Sequence, residues 1–178
     1  MRKPLLDIQD LTVEFATRNG TVTAVQQVEL HLHKGETLGI VGESGSGKSV
    51  TSYALLRILD RAGKIANGSI VFGGVDIGGA TERTMSEMRG RELSMIFQNP
   101  RAALNPIRAV GRQIEDVLIQ HGLATRGNAR HKAIQMLKAV KIRDPHLRYH
   151  AYPFELSGGM CQRIVIAIAL ACRPQLLV

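Results

Sequence analysis

Two cysteines in 178 residues leave no basis for a disulfide framework or a thiolate metal centre. Cys161 and Cys172 match neither a redox nor a zinc spacing, so both read as reduced packing residues. No apolar run reaches the roughly 18 residues that a membrane-crossing helix requires. The opening Met1-Arg2-Lys3-Pro4-Leu5 runs into Asp7 and Asp10 too soon for a secretory leader, so the expected compartment is the cytosol. Internal repeats and low-complexity tracts are absent, and aromatic residues make up only 4% of the chain. Lys and Arg outnumber Asp and Glu by 23 to 15, a net charge of +8. The basic residues run from Arg2 to Arg173 with no tract and no interleaved aromatics, which argues against nucleic acid and reads as a mildly basic solvated surface.

What remains is a globular composition, 44% apolar, in a chain long enough for one domain with a core. Leu6 to Phe15 alternates as a strand, and Asn19-Gly20 signals a hairpin into a second strand, Val22 to Leu32. Lys34-Gly35-Glu36 turns into a short apolar strand, Leu38 to Val41. A helical pattern follows from Val50 to Leu59. Asn67-Gly68 leads into a strand at 69–72, and Gly73-Gly74 marks another hairpin. Leu93 to Phe97 reads as a short buried strand. Two helices fall between Val110 and Val140, separated by a polar break from Gly122 to Asn128. A further helix runs from about Gly158 to Ala171, and Leu176-Leu177-Val178 opens another strand. The class is α/β, with an antiparallel N-terminal piece, a parallel core and a helical insertion.

The chemistry concentrates at Gly42-Glu43-Ser44-Gly45-Ser46-Gly47-Lys48-Ser49, which fits the phosphate-loop pattern between an apolar strand and a helix. Glycines let backbone N–H groups form a concave anion nest, and the helix that follows, beginning around Val50, turns its positive end toward phosphate. Lys48 would place a point charge near the β- and γ-phosphates, and the Ser49 hydroxyl would ligate Mg2+. A second anion site is suggested by Ser157, Gly158 and Gly159 at the start of the last helix, in Leu156-Ser157-Gly158-Gly159-Met160-Cys161-Gln162-Arg163. By itself that run also reads as an ordinary helix N-cap.

In combination, the phosphate loop, then Met95-Ile96-Phe97-Gln98-Asn99-Pro100, then Leu-Ser-Gly-Gly-x-x-Gln-Arg resemble the ATP-binding subunit of an ABC transporter, over the chain from about Leu5 to Val178. Ala103-Leu104-Asn105-Pro106 and Tyr152-Pro153 ahead of the signature resemble the peptide and nickel importer branch. Phe154, where that branch often has a polar residue, departs from it. The resemblance implies a P-loop ATPase core with an antiparallel β subdomain, together at about 1–98 and 172–178, and a helical subdomain at about 99–171. It implies ATP and Mg2+ as cofactors, with Phe15 stacking on adenine, although a core-facing Phe at a strand end is the other reading. Gln98 would contact Mg2+ and the attacking water. Ser157, Gly158, Gly159 and Gln162 would complete the site of a second, identical or different ATP-binding subunit. The partners implied are that subunit, the transmembrane permease subunits and, indirectly, a solute-binding protein, with the chain on the cytoplasmic face of the membrane.

The family continues the strand at Leu176 into an aspartate that holds Mg2+ and a glutamate that polarises the attacking water, and neither is in these 178 residues. On that ground the chain is expected to be an incomplete domain, lacking its C-terminal part and with little or no turnover of its own. Asp7, Asp10, Glu14, Glu29, Glu115, Asp116 and Glu155 read as solvated surface charges. Met85, Met88, Met95 and Met160 read as packing residues. Cys161 sits where relatives commonly carry a larger, often basic residue, which suggests a surface or interface contact. A soluble ABC-type ATPase and a truncated remnant that only binds nucleotide stand as the alternatives to an importer subunit.

Overall fold

The computed structural model of the chain describes residues 3–178. It divides into two compact units, one running up to Ser86 and the other Glu87–Val178.

The first unit is built on an antiparallel sheet of order β2-β1-β3-β4, formed by β1 (Leu6–Thr17), β2 (Gly20–Leu32), β3 (Gly63–Phe72) and β4 (Val75–Asp76). The second hairpin turn falls where the sequence places it, Phe72 pairing with Val75 across Gly73-Gly74, and the first falls one residue early, Thr17 pairing with Gly20 across Arg18-Asn19. Leu6, Ile8, Leu11 and Val13 of the central strand are buried together with Ile70 and Phe72 of β3, which makes one apolar face. Helix α1 (Lys48–Leu56) contributes Ala54, Leu55 and Leu56 to the buried set. It ends three residues earlier than the sequence pattern suggests, at Arg57 in left-handed geometry, whose guanidinium donates to the Ala80 carbonyl.

Asn67-Gly68 does not precede β3 but lies inside it. The β1–β3 register shifts between Gln9 and Thr12, where Asp10 has φ 49° and Gly68 φ 85°. The Asp10 carboxylate accepts from Asn67 Nδ2 at 2.6 Å. A Cβ on Gly68 would lie 2.3 Å from the Asp10 carbonyl oxygen, so the turn-like dipeptide is a glycine bulge that bends a continuous strand.

A second departure concerns the approach to the phosphate loop. Leu38 to Val41 form no strand, and Leu38, Ile40 and Val41 are 49%, 50% and 93% exposed. An isolated extended segment has no ladder to satisfy its backbone, and β propensity alone does not hold it as a strand. The parallel pairing that is present joins β5 (Leu93–Ser94) to β6 (Leu176–Leu177), in the second unit. It is extended by Val178 N–H to Ser94 O at 2.9 Å and Ile96 N–H to Val178 O at 2.8 Å. The strand expected over Leu93 to Phe97 is thus confined to its first two residues, and Phe97 is exposed.

The rest of the second unit is helical. Helices α4 (Val110–Gln120), α5 (Ala129–Ala139) and α7 (Gly158–Leu170) pack around Val110, Ile114, Leu118, Ala133, Leu137 and Ile164. Short helices at α3 (Pro100–Ala103) and α6 (Pro145–Arg148), with a 3-10 turn at Pro153–Glu155, connect them. A further short helix, α2 (Glu82–Met88), buries Met85 and Met88 as packing residues.

Candidate nucleotide site

The phosphate loop is exposed from Gly42 to Ser46, and α1 starts directly at Lys48. Gly47 takes φ 87° as N-cap, a geometry open to glycine, and a Cβ there would lie 2.8 Å from the Ala24 carbonyl oxygen. No side chain caps this end and no acidic residue occupies the first turn. The first pairing at the end is Thr51 N–H to Gly47 O at 2.9 Å. The N–H groups of Lys48, Ser49 and Val50 precede it and have no intrahelical acceptor. Three aligned donors and the positive end of the helix dipole therefore face the loop.

Lys48 folds back over this nest. Its ammonium donates to Gly42 O at 2.7 Å, Glu43 O at 2.6 Å and Ser46 Oγ at 2.9 Å. The charge is thereby held at the mouth of the loop, against groups that an incoming anion can replace. Gly42 is the second position where space decides: a Cβ there would meet Ser46 Oγ at 2.7 Å. Ser44 and Gly45 form the exposed tip, and the Ser49 side chain is exposed at the start of the helix. An ammonium, three N–H donors and a hydroxyl form a donor set that suits a polyphosphate. Among the described residues, no cluster of His, Cys, Asp or Glu could hold a metal without such a ligand. Phe15 sits on β1 opposite Gly63, half-buried, with its ring edge lying where a Gly63 side chain would be.

The second constellation lies in the helical unit. Ser157 is the N-cap of α7, and its hydroxyl accepts from Met160 N–H at 3.3 Å. Gly158 and Gly159 are exposed, with nothing within 4 Å of where a side chain would begin, and Gln162 is half-buried one turn along. The segment before the cap is held by three contacts. Glu155 accepts from Tyr152 N–H at 2.7 Å, Arg101 donates to Leu156 O at 3.4 Å, and Cys161 Sγ donates to Pro153 O at 3.5 Å. Gln98 is exposed beyond β5, next to Asn99, whose side chain caps α3 by accepting from Ala102 N–H. The structure thus gathers the phosphate loop in the first unit and the Ser157 run in the second.

Two sequence expectations need correction here. Cys161 is fully buried, as its reading as a packing residue has it, and makes no surface or interface contact, because the helical period puts it on the inward stripe with Ile164 and Val165. Glu115 is not solvated either. It is 5% exposed, accepts from the Tyr149 hydroxyl at 2.5 Å and from Arg112 at 2.8 Å, and lies on the α4 stripe with Gly111, Ile114 and Leu118. Burial, with Glu115 second, pushes the Tyr149 hydroxyl up to about 12. Asp116 beside it is exposed and held by Arg108, at 2.5 and 2.6 Å.

The ABC transporter family model matches residues 25–178, which include the phosphate loop and the Ser157 signature. The chain belongs to the ABC transporter family. It is 46% identical over 175 residues to the oligopeptide transport ATP-binding protein OppD of Bacillus subtilis, covering 98% of this chain and 49% of that protein. It is 48% identical to OppD of Salmonella typhimurium, covering 98% and 52%. It is 45% identical over its full length to the probable D,D-dipeptide transport ATP-binding protein DdpD of Escherichia coli, covering 55% of that protein. The chain therefore spans about half the length of these relatives. The fold is that of ABC cassettes: a dimeric structure of MJ0796 bound to ADP and Pi superimposes with a TM-score of 0.85 at 24% identity, covering 97% of this chain and 72% of that one.

Proposed function

We propose that this chain is the nucleotide-binding segment of an ATPase subunit that drives uptake of peptides or a related small solute, in the manner of the OppD and DdpD relatives. The observation that carries the reading is the open N-terminus of α1 under the Lys48 ammonium, in a chain whose similarity to peptide-transport ATP-binding proteins runs almost end to end. In this reading Gly42 to Val50 bind the β- and γ-phosphates of ATP, Lys48 neutralises charge at the γ-phosphate, and Ser49 offers a hydroxyl to Mg2+. Bound ATP supplies the phosphoanhydride whose cleavage resets the subunit. Phe15 lends a ring face to adenine, and Gln98 orients water and responds to Mg2+. Ser157, Gly158, Gly159 and Gln162 address the nucleotide of a second ATP-binding subunit; MJ0796, whose fold this chain shares, is itself a dimer in its structure.

The division at Ser86/Glu87 leaves open the assignment of 1–98 with 172–178 to the core and 99–171 to the helical subdomain, and that assignment stays part of the proposal. Among the described residues no helix is long and apolar enough to cross a membrane, and salt-resistant attachment at the cytoplasmic face is assigned to permease subunits. A solute-binding protein would deliver the cargo to them. Co-purification with membranes washed at high salt that requires the cognate transmembrane subunits is the expected result. Salt-sensitive nucleic-acid binding with no such requirement would favour a soluble ATPase role.

A further inference from the structure

We propose that the exposed basic face around α5 and the turn after it is a docking surface for anionic lipid headgroups. Basic residues occur from end to end of the sequence, yet the charge excess does not. Residues 1–86 contain nine Lys and Arg against nine Asp and Glu, whereas residues 87–178 contain fourteen against six. The whole +8 therefore belongs to the helical unit. It is densest between 117 and 154, where seven Lys and Arg and four His face a single acid, Asp144.

The fold turns this charge outward. Helix α5 buries Ala129, Ala133, Ile134 and Leu137, which leaves Arg130, His131 and Lys138 on its exposed side. Lys141 and Arg143 continue the exposed charge beyond the helix, and Arg126 precedes it. Arg126, Lys138 and Arg143 make no ion pair among the described residues, so their charges are uncompensated. Leu147 stands 65% exposed between His146 and the half-buried Arg148, an apolar residue in a basic surround. A polybasic surface that also exposes an apolar residue suits the headgroup region of an anionic bilayer.

Single-stranded nucleic acid is the poorer fit. Binding it needs free ring faces on which bases stack. Tyr149 is buried with Arg130 over its face at 5.2 Å, and the two exposed rings of this stretch, Tyr152 and Phe154, stack on each other with centroids 5.6 Å apart. The inference rests on the importer reading only for bringing the chain near a membrane.

The test is sedimentation of the 178-residue chain with protein-free vesicles of phosphatidylcholine alone or mixed with phosphatidylglycerol. The chain is expected to bind the anionic vesicles, to ignore the neutral ones and to release at high salt. Each neutralised charge should weaken binding about fivefold, so Arg126→Gln, Lys138→Gln and Arg143→Gln together should weaken it about a hundredfold. The charge-keeping set Arg126→Lys, Lys138→Arg and Arg143→Lys should bind like the parent. Equal binding to neutral vesicles, no effect of the glutamine set, or tighter binding to a fluorescent RNA oligonucleotide at the same salt would overturn the proposal. Lys48→Ala should leave vesicle binding unchanged, so failure here and failure of the nucleotide site are read separately.

Discussion

The Tyr149 hydroxyl donates to Glu115 Oε1 at 2.5 Å inside the helical unit, and the same carboxylate accepts from Arg112 at 2.8 Å. A carboxylate only 5% exposed is tolerable because both of its oxygens are occupied. The backbone reinforces the contact: Gly111 N–H donates to Tyr149 O at 3.0 Å and Val110 N–H to Ala151 O at 2.9 Å. The start of α4 is thereby fastened to the segment that leads toward Ser157.

Tyr149→Phe removes the hydroxyl and leaves Glu115 Oε1 without its partner, an expected loss of about 1–3 kcal/mol in denaturant unfolding near neutral pH. The pH dependence has a definite sign. The Tyr149 proton is held to about 12 in the folded state against an ordinary value near 10. Its contribution is complete below about pH 10 and is lost as pH rises from about 10 to about 12. The stability difference between parent and Tyr149→Phe should therefore shrink across that window; a difference that is flat there would contradict the assignment.

Gly111→Ala tests the close approach itself. The added Cβ would lie 2.1 Å from Tyr149 Cδ2, and the ring is buried with no free side to move into. A loss of about 1–3 kcal/mol or more is expected from overpacking, with a lower thermal midpoint. Parent-like stability would show that the α4–Tyr149 contact is looser than described.

Part of this was visible in the sequence and part was not, for physical reasons. Gly73-Gly74 marks its hairpin because both turn residues take left-handed geometry that few residues adopt, whereas Asn19-Gly20 lies one residue past its turn, Arg18-Asn19, with Gly20 opening β2 at φ 118°. The α4 and α5 periods locate their helices because each buries one stripe. Asn67-Gly68 misleads, since the same left-handed glycine also serves a bulge within a strand. Leu38 to Val41 misleads because strand formation depends on a ladder partner, which local sequence does not supply. Glu115 follows the buried period of Gly111, Ile114 and Leu118, but the partner that makes its burial possible, Tyr149, is distant in sequence. The proposed phosphate loop stands out in the sequence because its glycines, Lys48 and Ser49 fall within one contiguous turn.

Ser157 caps α7 and, in the proposed reading, also faces the nucleotide of a second subunit. Ser157→Ala removes the cap on Met160 N–H and should cost about 1 kcal/mol in unfolding. Ser157→Asp keeps a capping oxygen and suits the helix dipole, so stability should be retained. Its negative charge opposes phosphate, so ATP-dependent dimerisation with a second ATP-binding subunit should be lost. Sedimentation velocity with and without ATP measures this; an unimpaired dimer in the Asp variant would confine Ser157 to capping.

The most direct measurement of the central claim is a fluorescence titration of the chain and its Lys48→Ala variant with a fluorescent ATP analogue. The Lys48 ammonium sits over the loop through Gly42 O, Glu43 O and Ser46 Oγ, and is the charge that the phosphates would meet. Saturable binding by the parent and a loss of about tenfold to a hundredfold in the variant are the predicted results, the scale of one charge-assisted hydrogen bond. Unchanged affinity in a Lys48→Ala protein that retains its fold would contradict the assignment of Gly42 to Ser49 as the phosphate site.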